Sequence, residues 1–266
     1  YAKEILTPEY GAGLHNVLAA RKNDLYGILN GVDYETWNPE TDKHLPFNYS
    51  KDNFLGKFKN KKFLLEHFGI PFSEHIPLIG IVSRMVNQKG FDIFAGALQD
   101  LMQLDAQWII LGSGEDRYEE MFRHIARVLP HKVGTYIGFN NELSHLIEGA
   151  ADMFLMPSKY EPCGLNQIYS MKYGTVPIVR KTGGLADTVL DWDKMNYYGY
   201  DTGTGFSFND YSSYALFLTV QRAVNAFHHK NTWKKIMLNG MNKDYSWKNS
   251  AKEYMVLYEK AVKKRR

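Results

Sequence analysis

Cysteine is nearly absent. The one thiol in 266 residues, Cys163, has no second cysteine with which to form an internal disulfide, and this suits a reducing compartment such as the cytoplasm. Long apolar runs are missing too. None approaches the ~20 residues that cross a bilayer, so no membrane partner is expected. Excess charge is missing as well: 32 Lys and Arg stand against 29 Asp and Glu, for a net +3. The basic residues are scattered, and no nucleic-acid surface is expected. Their one concentration, Lys263, Lys264, Arg265 and Arg266, reads as a solvated helix end. The nine histidines show no metal-ligand spacing, and His228-His229 reads as a helix terminus. There is no internal repeat. The chain starts at Tyr1 without a leader peptide and is expected to be a piece of something longer.

What is present describes an ordinary globular chain. Hydrophobic residues make up 44% and charged residues 23%, which excludes a disordered protein. From Pro77 the chain alternates. Apolar runs at Leu78–Val82, Trp108–Leu111, Thr135–Ile137, Met153–Met156 and Val176–Val179 are separated by helical patterns at Phe91 to Leu104, Arg117 to Leu129, Glu142 to Ala150, Leu165 to Tyr173 and Leu185 to Leu190. Continuous apolar strands alternating with helices predict α/β architecture: a doubly wound parallel sheet, Rossmann-like, with ligands bound beyond the carboxyl ends of the strands. Residues 1–50 read as a connector without a core of its own, holding a short helix and a strand near Leu25 to Leu29. A helical pattern then covers Lys51 to Phe68. After Phe208, three helical stretches cover Tyr211 to His228, Thr232 to Asn239 and Ser250 to Val262. The last carries Tyr254, Leu257, Tyr258 and Ala261 on one face.

The strand ends carry the chemistry. After the first run, Arg84 and Lys89 share a loop that opens a helix. Two cations there suit a diphosphate, since Arg forks onto two oxygens and Lys adds a point charge; two surface cations are the alternative. Gly112-Ser113-Gly114 lacks the third glycine of a dinucleotide loop, because Arg117 holds its place. After the fourth run, Glu161 precedes a helix start and is either its cap or a contact to sugar hydroxyls. Exposed amides at Gly164 and Leu165 would favour an anion. Cys163 reads as a packed small residue, without a nearby histidine to activate it. After the fifth run, Thr182, Gly183 and Gly184 leave amides at a helix start or make a tight turn. Asp191-Trp192-Asp193 matches a D-x-D metal motif but reads as a solvated turn at a helix end. Two anion-friendly loops and a carboxylate together suit a phosphate ester joined to a polyol.

Longer motifs then carry a resemblance. Tyr160-Glu161-Pro162-Cys163-Gly164-Leu165-Asn166-Gln167, Tyr173 to Arg180, Thr182 to Val189, Gly27 to Asp33 with Trp37-Asn38-Pro39, Ser83-Arg84 with Gln88-Lys89-Gly90, and Tyr245-Ser246-Trp247 resemble bacterial glycogen synthases and plant starch synthases over nearly the whole chain. The resemblance implies a two-domain GT-B-type glycosyltransferase of which this is the carboxyl-terminal half. Residues 1–50 would then be an interdomain connector, 51–240 the nucleotide-sugar-binding domain, and 241–266 a crossover helix packing on an amino-terminal, acceptor-side domain. That domain is absent here, since no Lys-x-Gly-Gly loop is found. The chain would be inactive alone.

The implied reaction is retaining glucosyl transfer from ADP-glucose to the 4-hydroxyl of an α-1,4-glucan, in the cytoplasm or, for a plant protein, a plastid. No cofactor or metal is expected. Arg84 and Lys89 would hold the diphosphate and stabilise leaving ADP, and Glu161 would favour positive charge at the anomeric carbon. Amides of Cys163, Gly164 and Leu165 would meet sugar and phosphate oxygens. Thr182, Gly183 and Gly184 would line the donor pocket, and Phe139 would stack on the base where relatives carry Tyr. Tyr169 stands where many related transferases have a ribose-binding Glu. Retention by two close carboxylates is the glycosidase route, and Glu161 is the one carboxylate well placed for it. A UDP-sugar transferase, a non-catalytic nucleotide- or glucan-binding module and a nicotinamide dehydrogenase are the alternatives.

Overall fold

Apolar strand runs and amphipathic helices build the molecule in chain order. The computed structural model describes residues 1–265, with side chains through Lys264, so Arg266 of the basic tail lies outside the described residues. The elements are α1 (His15–Ala20), α2 (Leu55–His67), β1 (Leu78–Val82), α3 (Phe91–Gln103), β2 (Gln107–Gly112), α4 (Asp116–Val128) and β3 (Val133–Ile137). Then come α5 (Asn141–Ala150), β4 (Met153–Met156), α6 (Asn166–Lys172), β5 (Val176–Arg180), α7 (Gly183–Thr188), α8 (Trp192–Tyr197), β6 (Phe206–Phe208), α9 (Ser213–Phe227), α10 (Lys230–Met241) and α11 (Trp247–Arg265). The six strands are parallel in the order β3-β2-β1-β4-β5-β6. This is a doubly wound sheet whose order reverses between β1 and β4, so a crevice opens beyond their carboxyl ends.

Local chemistry sets the helix starts. Asn140 Oδ1 accepts from Leu143 N at 2.9 Å and Ser212 Oγ from Ala215 N at 3.2 Å, each filling one of the orphan donors of a first turn. Helix α9 buries Leu216, Val220, Ala223, Val224 and Phe227, a stripe at helical spacing that covers one sheet face together with α3. Trp108 and Phe94 pack edge to face there, 5.8 Å apart. The opposite face is covered by α2 and α5 around Leu64, Leu65 and Ile147.

Four features depart from the sequence-based expectations. The segment near Leu25 to Leu29 forms no strand. It joins neither edge of the sheet, β3 or β6, and nearby only Val32 pairs, in a parallel bridge to Ser246 beside the start of α11. The first fifty residues do contribute core: Leu45 and Tyr49 are 5% exposed and pack beneath α2 and α5. A sixth, three-residue strand, β6, closes the edge beside β5, too short for a period to register in the sequence. Asp191 is not a solvated turn residue. It caps α8 by accepting from Lys194 N at 3.1 Å, and Trp192 beside it is buried.

Buried charges tie α2 to the sheet. Lys61 Nζ meets Asp152 Oδ2 at 2.7 Å, and that oxygen also accepts Leu78 N at 2.8 Å, joining α2, β1 and the residue before β4. Lys57, pulled down to about 7 by burial, donates to Gly149 O, Tyr173 O and Thr175 Oγ1.

Candidate functional site

The loops after β1 and β4 meet across the reversal point. Lys159 N donates to Gln88 O at 2.8 Å, and Gln88 Nε2 to Tyr160 O at 3.3 Å. Their close approach depends on Gly90: its φ is +81°, and a Cβ there would lie 2.0 Å from Pro157 O. Between the loops is a cavity of about 440 Å³ lined by Arg84, Lys89, Ser158, Glu161 and residues 162–166.

The side chains named from the sequence converge here in part. Lys89 Nζ contacts Glu161 Oε2 at 2.5 Å across 72 residues of sequence, and Ser158 Oγ donates to the same oxygen at 3.3 Å. Glu161 is therefore not a helix cap. Leu165 occupies the cap position of α6 without a side-chain bond, and the Glu161 carboxylate, 9% exposed, faces a cation instead. Arg84 is exposed and has no ion-pair partner among the described residues. Cys163, Gly164 and Leu165 line the cavity, and their amides have no acceptor among the described residues. Burial pushes the Cys163 thiol up, which keeps it protonated and agrees with a packing role for the side chain.

Thr182, Gly183 and Gly184 differ from expectation. They do not line this cavity. Gly183 N and Thr182 Oγ1 both donate to the Glu4 carboxylate, the amide at 2.8 Å, and Gly184 N donates to Glu161 O at 3.0 Å. In a separate chain segment, Glu4 has taken the donors that strand-end reasoning left open. Through Gly184 N the turn is tied to the loop that carries Glu161.

A second cavity of about 330 Å³ shares Ser83, Arg84 and Asn166 with the first, so the two form one cleft. Phe139, 89% exposed, stands at its rim. Tyr169 lies flat against Trp37, with centroids 3.9 Å apart and an interplanar angle of 7°, and Trp37 in turn stacks on His145 at 3.7 Å. Asp42 holds His145 Nδ1 at 2.8 Å. Trp37, Ser158, Asn166 and Glu148 escape a search of strand ends for charge. Trp37 arrives from the amino-terminal segment and Glu148 from the last turn of α5, and neither lies in a loop after a strand.

A doubly wound domain with paired cations, free amides and a carboxylate at its reversal point defines a site for an anionic group bearing hydroxyls. The family model described as "Glycosyl transferases group 1" matches residues 62–235, and the chain belongs to that family. It is 49% identical to a glycogen synthase of Thermosipho melanesiensis, covering 100% of this chain and 54% of the relative. It is 48% identical to one of Koribacter versatilis, covering 98% and 53%. The fold matches the catalytic domain of starch synthase IV from Arabidopsis thaliana, solved with ADP and acarbose, at a TM-score of 0.92 and 35% identity over 99% of this chain and 54% of that one. Sucrose-phosphate synthase from Thermosynechococcus elongatus shares the fold at TM-score 0.60 and 19% identity, over 88% of this chain and 52% of that one. The chain spans about half the length of the curated relatives it matches.

Proposed function

We propose that this chain is the donor-binding, carboxyl-terminal half of a glycogen synthase, transferring glucose from ADP-glucose to the non-reducing 4-hydroxyl of an α-1,4-glucan with retention. The observation that carries this reading is the convergence of Arg84, Lys89, Glu161 and the three free amides of residues 163–165 on one cavity at the β1–β4 reversal. The names of the relatives and the ADP and acarbose of the starch synthase IV structure support the substrates.

In this reading Lys89 and Arg84 bind the diphosphate and stabilise the charge that builds on it as the glycosidic bond breaks, the task a metal performs in other transferases. Once phosphate oxygens draw Lys89 away, the Glu161 carboxylate faces the transferred glucose and stabilises positive charge at its anomeric carbon. The base stacks on Phe139, whose exposed ring offers a face but no hydroxyl. Residues 1–50 form the connector, although their later part packs into the domain spanning 51–240. Residues 241–266 carry the crossover helix, whose Tyr254 and Tyr258 are exposed and suit a partner half. Among the described residues no helix is long and apolar enough to cross a membrane.

Calorimetric titration tests the reading. The chain is expected to bind ADP-glucose in preference to UDP-glucose and NAD. Arg84→Ala and Lys89→Ala should each weaken binding by about 1.5–3 kcal/mol, the range for a hydrogen bond to a charged group. Arg84→Ala is the cleaner probe, because no ion pair within the chain depends on it. Preference for UDP-glucose would reassign the donor. Unchanged affinity in both variants would remove this loop from the phosphate site. The chain by itself is expected to add no glucose to glycogen, and activity should return when the amino-terminal half of a relative is supplied.

A further inference from the structure

Glu148 has no part in the roles above, yet it lines the second cavity of the cleft. It is 1% exposed, on the inner side of α5. Its Oε2 accepts from Ser170 Oγ at 2.6 Å, while Oε1 is buried and has no partner among the described residues. The groups packed around it leave it alone. On α2, Lys57 is committed to three oxygens and Lys61 to Asp152. Tyr49 donates to Gly149 O and Tyr173 O, and Tyr173 to Asp42. Tyr169 lies against Trp37, and His145, on α5 with Glu148, is held by Asp42.

Burial pushes the Glu148 carboxyl up to about 8, against the lowering effects of the Ser170 hydroxyl and of Lys57, so it is protonated at neutral pH. Ser170 Oγ holds Oε2, which leaves Oε1 as the oxygen without a partner. A buried polar atom without a partner, in the wall of a cleft, is a group prepared for a ligand.

We propose that Glu148 is a ribose-binding residue of the donor site, its Oε1 hydrogen-bonding a hydroxyl of the bound nucleotide's sugar. The inference rests on the donor-site reading above. Position selects ribose. The cavity of Glu148 joins the cation end through Ser83, Arg84 and Asn166, and Phe139 holds the exposed rim. The unit between a diphosphate and a base is the ribose. The neutral acid can donate to a hydroxyl or accept from it; the carboxylate can only accept, and it repels the diphosphate. That repulsion is absent well below pH 8 and grows as the pH rises through about 8, so binding is tightest with the neutral acid.

The affinity of the 266-residue chain for ADP-glucose, measured by calorimetry at pH 7 and pH 9.5, tests this. ADP-glucose carries no phosphate monoester that titrates in this range. Affinity of the unaltered chain should fall roughly tenfold across it, as a carboxylate forms in the cleft that holds the diphosphate. Glu148→Gln, which keeps a neutral donor, should remove the pH dependence, while a fall driven by Lys57 would persist in that variant. Glu148→Met should bind roughly tenfold more weakly at pH 7. The 2′-deoxy and 3′-deoxy analogues identify the hydroxyl: one should bind the unaltered chain weakly and Glu148→Met no worse than ADP-glucose does. If Glu148→Met does not fold, the two pH profiles and the analogues on the unaltered chain decide. Full affinity in Glu148→Met, or 2′-deoxy and 3′-deoxy analogues that both bind the unaltered chain as ADP-glucose does, overturns the inference. Binding that is lost in Arg84→Ala but indifferent to Glu148 overturns this inference alone. Absence of ADP-glucose binding by the unaltered chain overturns the donor-site reading with it.

Discussion

Replacing Asp152 with alanine is expected to lower the stability of the chain by about 3–5 kcal/mol, the cost of leaving a buried charge without its partner. The Lys61 side chain is 3% exposed, and its other acceptor is Ile76 O, a carbonyl without formal charge. The substitution also strands Leu78 N at the start of β1, because Asp152 Oδ2 serves both donors. Two strands and α2 lose their common anchor at once. Denaturant unfolding monitored by circular dichroism checks this. A loss below about 1 kcal/mol would mean that water reaches the Lys61 ammonium, the regime of surface ion pairs. The double replacement Lys61→Met with Asp152→Leu should recover much of the loss, since an apolar pair of similar volume removes the desolvation penalty together with the attraction.

Gly184→Ala is expected to weaken ADP-glucose binding by about a hundredfold, the loss of one or two hydrogen bonds to a charged group. A Cβ at this position would lie 2.0 Å from Cys163 O and 2.5 Å from its Cα. Those are backbone atoms and cannot rotate aside. The segment that must move carries the Glu161 carboxylate and the free amides of residues 163–165, and Gly184 N itself holds Glu161 O at 3.0 Å. The strain should also cost about 1–3 kcal/mol of stability, the range for overpacking. Calorimetry and thermal unfolding of the same sample separate the two effects. Unchanged affinity would show that the loop can shift without disturbing the cleft, and would remove the α7 turn from the support of the site.

The legibility of the chain was uneven, and the reasons are physical. Five of six strands stood out because strands covered on both faces read as unbroken apolar runs, and the intervening helices had amphipathic periods. Position after a strand was enough to pick out Arg84, Lys89 and Glu161. Periodicity failed at β6, whose three residues are shorter than any period can register. It misled near Leu25 to Leu29, where an apolar run exists but no strand lies beside it to complete a ladder. The turn at residues 182–184 was chosen for its open amides, and it failed because Glu4, 179 residues away from Gly183, supplies the acceptor.

The sequence by itself determined the α/β alternation, the loops that carry charge, and the family. These are properties of neighbouring residues: apolar period, glycine where backbone must turn, cations within a few positions of one another. Tertiary structure alone decided that β1 lies beside β4, so that Lys89 meets Glu161 and the two loops become one cavity. It also brought Trp37 onto Tyr169 and buried Glu148 with one oxygen unpaired in the cleft wall. Strand order, pairing and desolvation are set by the packing of elements far apart in the chain, and no local pattern encodes them.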